Sequence, residues 1–269
     1  MSRPILFLDS GIGGIPYCGR FHERNPDERI VYLADRRHFP YGSRGKDELT
    51  AILIRHIEKL TAAVNPKIAV LACNTATLAS LPQLREKFPS LPFVGTVPAV
   101  KPAALAAKTG KIGVLGTELT INEPYIRELA AQYGGGEIIG IAAPELVEFA
   151  EKRLDSAAPE EKAAMARGYI NRFRSAGADV MVLGCTHFLF LLDYFRKEAA
   201  PDITVFESLD GISQRIEFLL AEIYPRERQN KIGQDEKNLF LLTGAEKPEP
   251  SWAAWADRLG FTLALLEEL

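Results

Sequence analysis

The sequence predicts an α/β fold of two pseudo-symmetric domains, each built around a mainly parallel central sheet, with the active site in the cleft between them. Short apolar runs alternate with longer amphipathic stretches along all 269 residues, which is typical of βαβ units. The runs are apolar at consecutive positions, as expected of strands that helices cover on both faces. Residues 68–75 and 180–187 also repeat one pattern, in which an apolar run leads into a small residue, a cysteine and polar side chains.

Nine apolar runs predict strands. They are residues 5–8, 30–33, 68–71, 93–95, 112–115, 138–141, 180–183, 203–206 and 239–242. Helical periodicity over residues 46–63, 123–133 and 160–176 predicts amphipathic helices between them. Pro82 is expected to interrupt the helix after the first repeat, with Ser80 capping a new start.

The repeat also predicts the domain boundaries. One domain is expected to contain residues 1–97 and 207–269, and the second residues 98–206. The proline-rich stretch 98–102 is the expected crossing point, because residues before proline avoid the helical conformation. We expect the charged segment 224–234 to be a surface loop.

Composition narrows the functional class. The net charge of −3 gives no electrostatic basis for binding nucleic acid or an anionic membrane, so neither is an expected partner. No apolar stretch approaches the ~20 residues of a membrane span, and the run at 5–8 is too short for a signal-peptide core. Three cysteines without a secretion signal indicate the reducing cytoplasm.

A glycine-rich turn follows the first predicted strand, in the sequence Asp9-Ser10-Gly11-Ile12-Gly13-Gly14. Glycines let the backbone approach a ligand and leave N–H groups pointing outward at a helix start. The spacing is not that of the dinucleotide fingerprint. A tight βα turn explains the glycines equally well, and an acid in the place of Asp9 either caps a helix or takes part in chemistry.

The segment Phe39-Pro40-Tyr41-Gly42-Ser43 follows the second strand, which ends at Asp35. One interpretation is a simple Pro-Tyr-Gly turn. In the functional interpretation, the backbone N–H groups of Tyr41 and Gly42 bind a substrate carboxylate.

The two repeats, Cys73-Asn74-Thr75 and Cys185-Thr186-His187, carry the strongest functional signal. A cysteine beside a helix N-terminus lies near the positive end of the helix dipole, which favours the thiolate. Asn and Thr side chains can hold the ammonium or carboxylate of an amino acid. Two buried, inert cysteines are the main alternative, since burial is common for this residue. The matched contexts and polar neighbours favour chemistry.

Other uses of these residues are weaker. A disulfide is disfavoured by the expected compartment, and the sequence has no Cys-x-x-Cys pair. No metal is expected, because the four histidines lack paired ligand spacing. Cys18, on the first helix, has no suitable polar neighbours and is interpreted as structural.

Together these motifs resemble the glutamate racemases. The matching segments are Asp9-Ser10-Gly11-x-Gly13-Gly14, Pro40-Tyr41-Gly42, Cys73-Asn74-Thr75-Ala76-Thr77, Val97-Pro98-Ala99-Val100-Lys101-Pro102 and Gly184-Cys185-Thr186-His187. They cover essentially the whole chain in the expected order. The related aspartate racemases tend to have Glu at the position of His187, so this histidine favours glutamate as the substrate.

The resemblance implies a cofactor-independent isomerase that converts L-glutamate to D-glutamate for peptidoglycan synthesis. It implies that Cys73 and Cys185 are the two acid/base residues, abstracting the proton from the D- and L-enantiomer respectively. Asp9 would be the partner of Cys73, and His187, assisted by Glu151, the partner of Cys185. The positions that match substrate-binding residues are Asp9, Ser10, Pro40, Tyr41, Gly42, Cys73, Asn74, Thr75, Cys185, Thr186 and His187. No cofactor is implied, and a homodimer is left open as the assembly.

The chain departs from the family pattern at Ala142-Ala143-Pro144, Phe188-Leu189-Phe190 and Leu209-Asp210-Gly211, and none of these changes removes an acid or base. A non-catalytic amino-acid-binding module is the alternative from another class, but it gives no reason for matched thiols. The alternative within enzymes is a racemase for aspartate or another acidic amino acid.

Overall fold

The structure is a computed structural model that describes residues 2–134, 136–225 and 236–268. The chain forms two compact units. The first unit contains Met1–Thr96 and Leu209–Leu269, and the second contains Val97–Ser208. Most of the predicted surface loop at 224–234 lies outside the described residues.

The first unit contains a six-stranded parallel sheet flanked by helices. Its strands are β1 (Ile5–Asp9), β2 (Ile30–Ala34), β3 (Ile68–Leu71), β4 (Phe93–Gly95), β9 (Leu239–Leu242) and β10 (Thr262–Leu265). Its helices are α1 (Ile15–Arg24), α2 (Lys46–Val64), α3 (Asn74–Lys87), α10 (Leu209–Ile223) and α11 (Pro250–Leu259).

The second unit contains a four-stranded parallel sheet. Its strands are β5 (Lys111–Gly116), β6 (Glu137–Ala142), β7 (Val180–Gly184) and β8 (Thr204–Phe206). Its helices are α4 (Val100–Ala106), α5 (Glu118–Asn122), α6 (Pro124–Gln132), α7 (Pro144–Arg153), α8 (Pro159–Ser175) and α9 (Leu192–Ala199).

The two sheets share one strand order. The first runs β10-β9-β2-β1-β3-β4 and the second β6-β5-β7-β8, so the order β2-β1-β3-β4 at one end of the first sheet is repeated by all four strands of the second. In this correspondence β3 is equivalent to β7, and these are the strands that precede Cys73 and Cys185. The predicted α/β class with mainly parallel sheets is confirmed.

Burial of both sheet faces explains the continuous apolar runs. On one face of the first sheet, Phe7 of β1 packs against Phe21 of α1, with ring centroids 5.8 Å apart. On the other face, Leu6 and Leu8 belong to the same buried cluster as Leu53 of α2. Burying one such leucine side chain stabilises the fold by about 1.5–3 kcal/mol.

The expected helix break at Pro82 is wrong, because α3 continues through this proline. Ser80 does not cap a new helix, and its hydroxyl instead pairs with the Thr50 hydroxyl of α2 at 2.8 Å. A proline inside a helix costs about 3 kcal/mol. Ala79 and Leu84 are buried in the core on either side of Pro82, and their packing against the sheet and α2 offsets that cost.

The last strand, β10, is not among the nine strands predicted from the sequence. It pairs with β9 at the edge of the sheet, where its side chains are half-buried and its apolar pattern is correspondingly short. Among the described residues, the structure has no helix that is both long and apolar enough to span a membrane.

Candidate active site

The predicted site residues of the first unit lie at the carboxyl ends of three adjacent strands. β1 lies between β2 and β3, and all three run parallel. The register pairs Asp9 with Ala34, and Leu8 with Leu71. The loops that leave these strands therefore start at one edge of the sheet, which is where α/β proteins bind their ligands.

Asp9 is fully buried at the end of β1. Its Oδ1 accepts a hydrogen bond from the Gly11 backbone N–H at 2.8 Å. The Tyr32 hydroxyl donates to the Gly11 carbonyl oxygen at 2.8 Å and fixes the other side of the turn. The carboxylate is thus held in place by the glycine turn that follows it.

Gly14 has helical backbone angles that any residue can adopt. A glycine is needed here because there is no room for a side chain. A Cβ at this position would lie 2.8 Å from Ala72 Cβ and 3.0 Å from Asp9 Cβ. The missing side chain lets the start of α1 approach the residue that precedes Cys73.

Cys73 is the N-cap residue of α3 and is almost fully buried. Its Sγ accepts a hydrogen bond from the Ala76 backbone N–H at 3.5 Å. Negative charge on this sulfur is favoured both by that N–H and by the helix N-terminus. The next residue, Asn74, is also buried, and its Oδ1 has no hydrogen-bond partner among the described residues.

The other predicted binding residues of this unit lie on the same loops. Ser10 and Thr75 are buried beside Asp9 and Asn74 in the chain. Pro40 is exposed and precedes a short 3₁₀ turn, Tyr41–Ser43, which contains Gly42. This turn packs on α3, and Tyr41 belongs to the same buried cluster as Cys73.

A cluster of polar side chains around Asp35 was not found from the sequence. Tyr41 donates its hydroxyl hydrogen to Asp35 Oδ2 at 2.7 Å, and His56 Nε2 lies 2.8 Å from the same oxygen. His38 Nδ1 lies 2.8 Å from Oδ1, which also accepts from the Thr243 hydroxyl at 2.7 Å. His56 lies on α2 and Thr243 follows β9, so spacing along the chain could not reveal the group.

The hydrogen bonds of this cluster keep Asp35 ionised. Burial alone would raise the pKa of this carboxyl group, but the hydrogen bonds and charge from His56, with those from Thr243 and Tyr41, hold its pKa well below the usual range. Burial and the Asp35 charge raise the pKa of Tyr41, with smaller contributions from Cys73 and Asp9. Tyr41 therefore stays protonated and acts as a donor.

In the second unit, Cys185 follows β7 and is almost fully buried. It precedes a six-residue 3₁₀ helix, Thr186–Leu191, and not the longer α-helix that follows Cys73. Thr186 and His187 are buried in the first turn of this helix.

His187 links Cys185 to Glu151. Its Nδ1 lies 3.8 Å from Cys185 Sγ, and its Nε2 lies 2.7 Å from Glu151 Oε1. Glu151 lies on α7, which packs against the Thr186–Leu191 helix. The side chains of the histidine and the glutamate are only 4% and 10% exposed, so this contact is largely shielded from water.

The two units differ in where the predicted partners of the thiols come from. Asp9 ends β1, whereas the equivalent position at the end of β5 is Gly116, which has no carboxylate. In the second unit the partner of the thiol is instead His187, two residues after Cys185. The strand order is repeated, but the side chains around the two thiols differ.

All three cysteines are free thiols. Cys18 is fully buried on α1, and burial raises the pKa of its thiol. This environment disfavours the thiolate, in keeping with the structural role predicted for Cys18.

Comparison with known proteins identifies the family of the chain. The family model described as Asp/Glu/Hydantoin racemase matches residues 20–211. A glutamate racemase from Roseiflexus sp. (strain RS-1) is 40% identical over 223 residues, which are 82% of this chain and 80% of that protein. A glutamate racemase from Shewanella sp. (strain MR-7) is 35% identical over 253 residues, which are 93% and 91% of the two chains.

Solved structures give the same result. Escherichia coli glutamate racemase, in complex with L-glutamate and the activator UDP-MurNAc-Ala, matches with a TM-score of 0.83 and 27% identity over 98% of this chain and 97% of that one. A glutamate racemase isoform from Bacillus anthracis matches with a TM-score of 0.79 and 28% identity over 98% and 96%.

The fold and these relatives define an α/β isomerase that acts on amino acids. The chain belongs to the Asp/Glu/hydantoin racemase family. The resemblance to the glutamate racemases and the prediction of an isomerase of that kind are confirmed.

Proposed function

We propose that this chain interconverts L-glutamate and D-glutamate without a cofactor, using Cys73 and Cys185 as two acid/base residues. One observation carries the proposal: each thiol lies within two residues of the end of the equivalent strand, in two sheets that share a strand order. A pair of inert core cysteines gives no reason for this equivalence. The glutamate racemase relatives, one of them crystallised with L-glutamate, support glutamate as the substrate.

Racemisation removes the α-proton from one face of the amino acid and returns a proton to the other. In the L-to-D direction the Cys185 thiolate takes the proton, so the C–H bond breaks, an S–H bond forms and the electron pair stays on the α-carbon. The Cys73 thiol then donates its proton to the opposite face and becomes a thiolate. The D-to-L direction starts from that thiolate, so neither sulfur has to cross the molecular plane.

The first unit offers groups suited to the substrate's own charges. Asn74 Oδ1 is buried without a partner among the described residues, and an ammonium group would supply the missing donor. The Tyr41 and Gly42 backbone N–H groups, with the Ser10 and Thr75 hydroxyls, are assigned to the substrate carboxylates. Donors to the α-carboxylate stabilise the negative charge that develops when the α-proton leaves.

Asp9 has a different role from these binding groups. Its carboxylate is fixed by the Gly11 N–H beside the loop that carries Cys73. It disfavours a second negative charge nearby until the substrate ammonium arrives. We assign Asp9 to control of the charge state of Cys73.

In the second unit, Thr186 completes the binding groups and His187 exchanges a proton with Cys185. Glu151 fixes the orientation of the imidazole through its 2.7 Å contact with Nε2. A histidine with a hydrogen-bonded carboxylate can stabilise either state of the neighbouring thiol.

We further propose that the D-glutamate supplies peptidoglycan synthesis and that the enzyme works in the cytoplasm. Three free thiols suit a reducing compartment.

The test of the proposed function is an assay of purified protein with L-glutamate and with L-aspartate, with no cofactor added. D-glutamate should form much faster than D-aspartate. Cys73→Ala and Cys185→Ala should each lose activity by at least about 10²–10⁴-fold, whereas Cys18→Ala should keep it. A preference for aspartate would mean that the enzyme is an aspartate racemase. An active Cys185→Ala variant would refute the two-thiol mechanism.

A further inference from the structure

The Asp35 cluster, formed by Asp35, His38, Tyr41, His56 and Thr243, has no role in the proton transfers proposed above. It joins the end of β2, the turn Tyr41–Ser43, α2 and the end of β9 through a single carboxylate. Asp35 is fully buried and Tyr41 is 1% exposed. A buried carboxylate with this many donors is a fixed point in the structure.

Tyr41 is the member of the cluster that reaches the proposed site. Its ring packs in the buried cluster that contains Cys73, and its turn packs on α3, the helix that Cys73 caps. Its hydroxyl makes a 2.7 Å charge-assisted hydrogen bond to Asp35. The position of the Tyr41 and Gly42 backbone therefore depends on a contact that lies behind the turn.

The remaining members hold Asp35 itself. His56 Nε2 and the Thr243 hydroxyl bind one carboxylate oxygen each, at 2.8 and 2.7 Å. Thr243 Oγ1 also accepts from the Arg37 backbone N–H at 3.1 Å, which ties the segment after β2 to β9.

We propose that Asp35 is a positioning residue that orients the Tyr41–Ser43 turn for substrate binding through Tyr41, with His56, His38 and Thr243 fixing its carboxylate. This inference rests on the proposed function, in which the Tyr41 and Gly42 backbone N–H groups bind a substrate carboxylate. Asp35 does not touch the reacting atoms, so its loss weakens binding more than it slows chemistry.

A metal site is the competing use of the same atoms, because Asp35, His38 and His56 each place a ligand atom within 4.8 Å of the others. The distances favour hydrogen bonding. Four ligands at 2.0–2.1 Å around a tetrahedral zinc ion would lie about 3.3 Å apart. The His38 and His56 nitrogens instead lie 2.8 Å from Asp35 oxygens, which is a hydrogen-bond distance.

The test compares steady-state kinetics of Tyr41→Phe, Asp35→Asn and the double variant. Tyr41→Phe keeps the ring and the backbone and removes only the donor to Asp35. We expect KM for glutamate to rise about tenfold in each single variant, with kcat changed less than about threefold. The KM of the double variant should not exceed the higher KM of the two single variants, because both changes remove the same hydrogen bond.

Two further variants separate positioning from general loss of structure. His56→Ala should raise KM, whereas His56→Gln keeps an N–H donor and should have a KM closer to that of the wild type. Tyr169→Phe is the matched control, since Tyr169 in the second unit also donates to a carboxylate, that of Glu145. It should leave KM unchanged. If Asp35→Asn does not fold, Tyr41→Phe carries the test.

A second measurement distinguishes this inference from the proposed function. Amide hydrogen exchange of residues 39–45 should be faster in Tyr41→Phe and Asp35→Asn than in the wild type. If the wild type racemises glutamate but neither KM nor exchange changes, the inference is wrong and the proposed function stands. If the wild type does not racemise glutamate, the proposed function fails and exchange alone decides the positioning role. Stoichiometric Zn²⁺ binding that His56→Ala removes would also overturn the inference.

Discussion

Glu151 Oε1 lies 2.7 Å from His187 Nε2, on the side of the imidazole opposite the thiol. A proton on Nε2 that is donated to Glu151 leaves the Nδ1 lone pair directed at Cys185 Sγ, 3.8 Å away. This tautomer is the one that can accept the thiol proton, so the carboxylate favours the form of histidine that the proposed mechanism requires.

Glu151→Gln should therefore behave as a mild His187 defect. The amide keeps a polar contact with the ring but removes the charge that favours the useful tautomer. We expect kcat to fall by about tenfold with little change in the free energy of unfolding. Glu148→Gln is the control, since Glu148 lies on the same helix and pairs with exposed Lys152. It should leave kcat unchanged.

The effect of Glu151 on kcat should depend on the presence of His187, which the His187→Asn variant tests. If Glu151 acts through His187, then Glu151→Gln added to His187→Asn should have little further effect. A double-mutant cycle on kcat measures this coupling. Fully additive effects would separate the two residues and refute the support that we assign to Glu151.

Asp9→Asn and His187→Asn should slow the two directions unequally, because Asp9 and His187 serve different thiols. The ratio of kcat/KM between directions must stay at the equilibrium constant, so the asymmetry appears in kcat, KM and isotope effects. Equal effects of both variants on kcat in both directions would contradict the assignment.

Gly14→Ala should destabilise the fold and reduce activity. The new methyl group would meet Ala72 Cβ and Asp9 Cβ at 2.8 and 3.0 Å. Asp9 ends β1, and the Ala72 backbone N–H is bonded to the Leu8 carbonyl oxygen of that strand, so neither can move away easily. Overpacking of this kind costs about 1–3 kcal/mol. Gly19→Ala on the same helix has only Leu259 Cδ2, at 3.7 Å, nearby and should stabilise by about 0.5–1 kcal/mol. Urea unfolding of both variants measures the difference, and equal stabilities would refute the close approach.

The Asp35 cluster should make the free energy of unfolding depend on pH in the acidic range. The folded pKa of this carboxyl group lies below its unfolded value of about 3.9. Its stabilisation is therefore complete above the unfolded pKa and is lost as the pH falls through the folded pKa. The loss in unfolding free energy caused by Asp35→Asn should be larger at pH 7 than at pH 3. A loss that does not change with pH would mean that Asp35 is not ionised in the fold.

The sequence predicted those features that depend on local pattern. Continuous apolar runs located β1 and β7 because both of their faces are buried, and the cysteines marked two equivalent strand ends. The edge strand β10 was not predicted because its half-buried residues form only a short and weak apolar pattern. The helix break predicted at Pro82 was wrong because the packing of α3 against the core outweighs the tendency of proline to interrupt a helix.

The candidate site shows the same division. Cys73, Cys185 and His187 could be named from motifs, since each lies next to its partners in the chain or repeats a pattern. The contact between His56 and Asp35 joins α2 to the end of β2. Such contacts follow from helix packing, which no spacing along the chain records.

We propose that two thiols act on opposite faces of one α-carbon, and racemisation of L-glutamate in ²H₂O tests this mechanism most directly. One thiol removes the α-proton while the other supplies a hydrogen that has exchanged with solvent. At low conversion, the D-glutamate formed should be fully deuterated at the α-carbon, while the remaining L-glutamate keeps its proton. The same should hold with the enantiomers reversed. Product that retains the substrate's own α-proton, or substrate that exchanges as fast as product forms, would contradict the two-thiol mechanism.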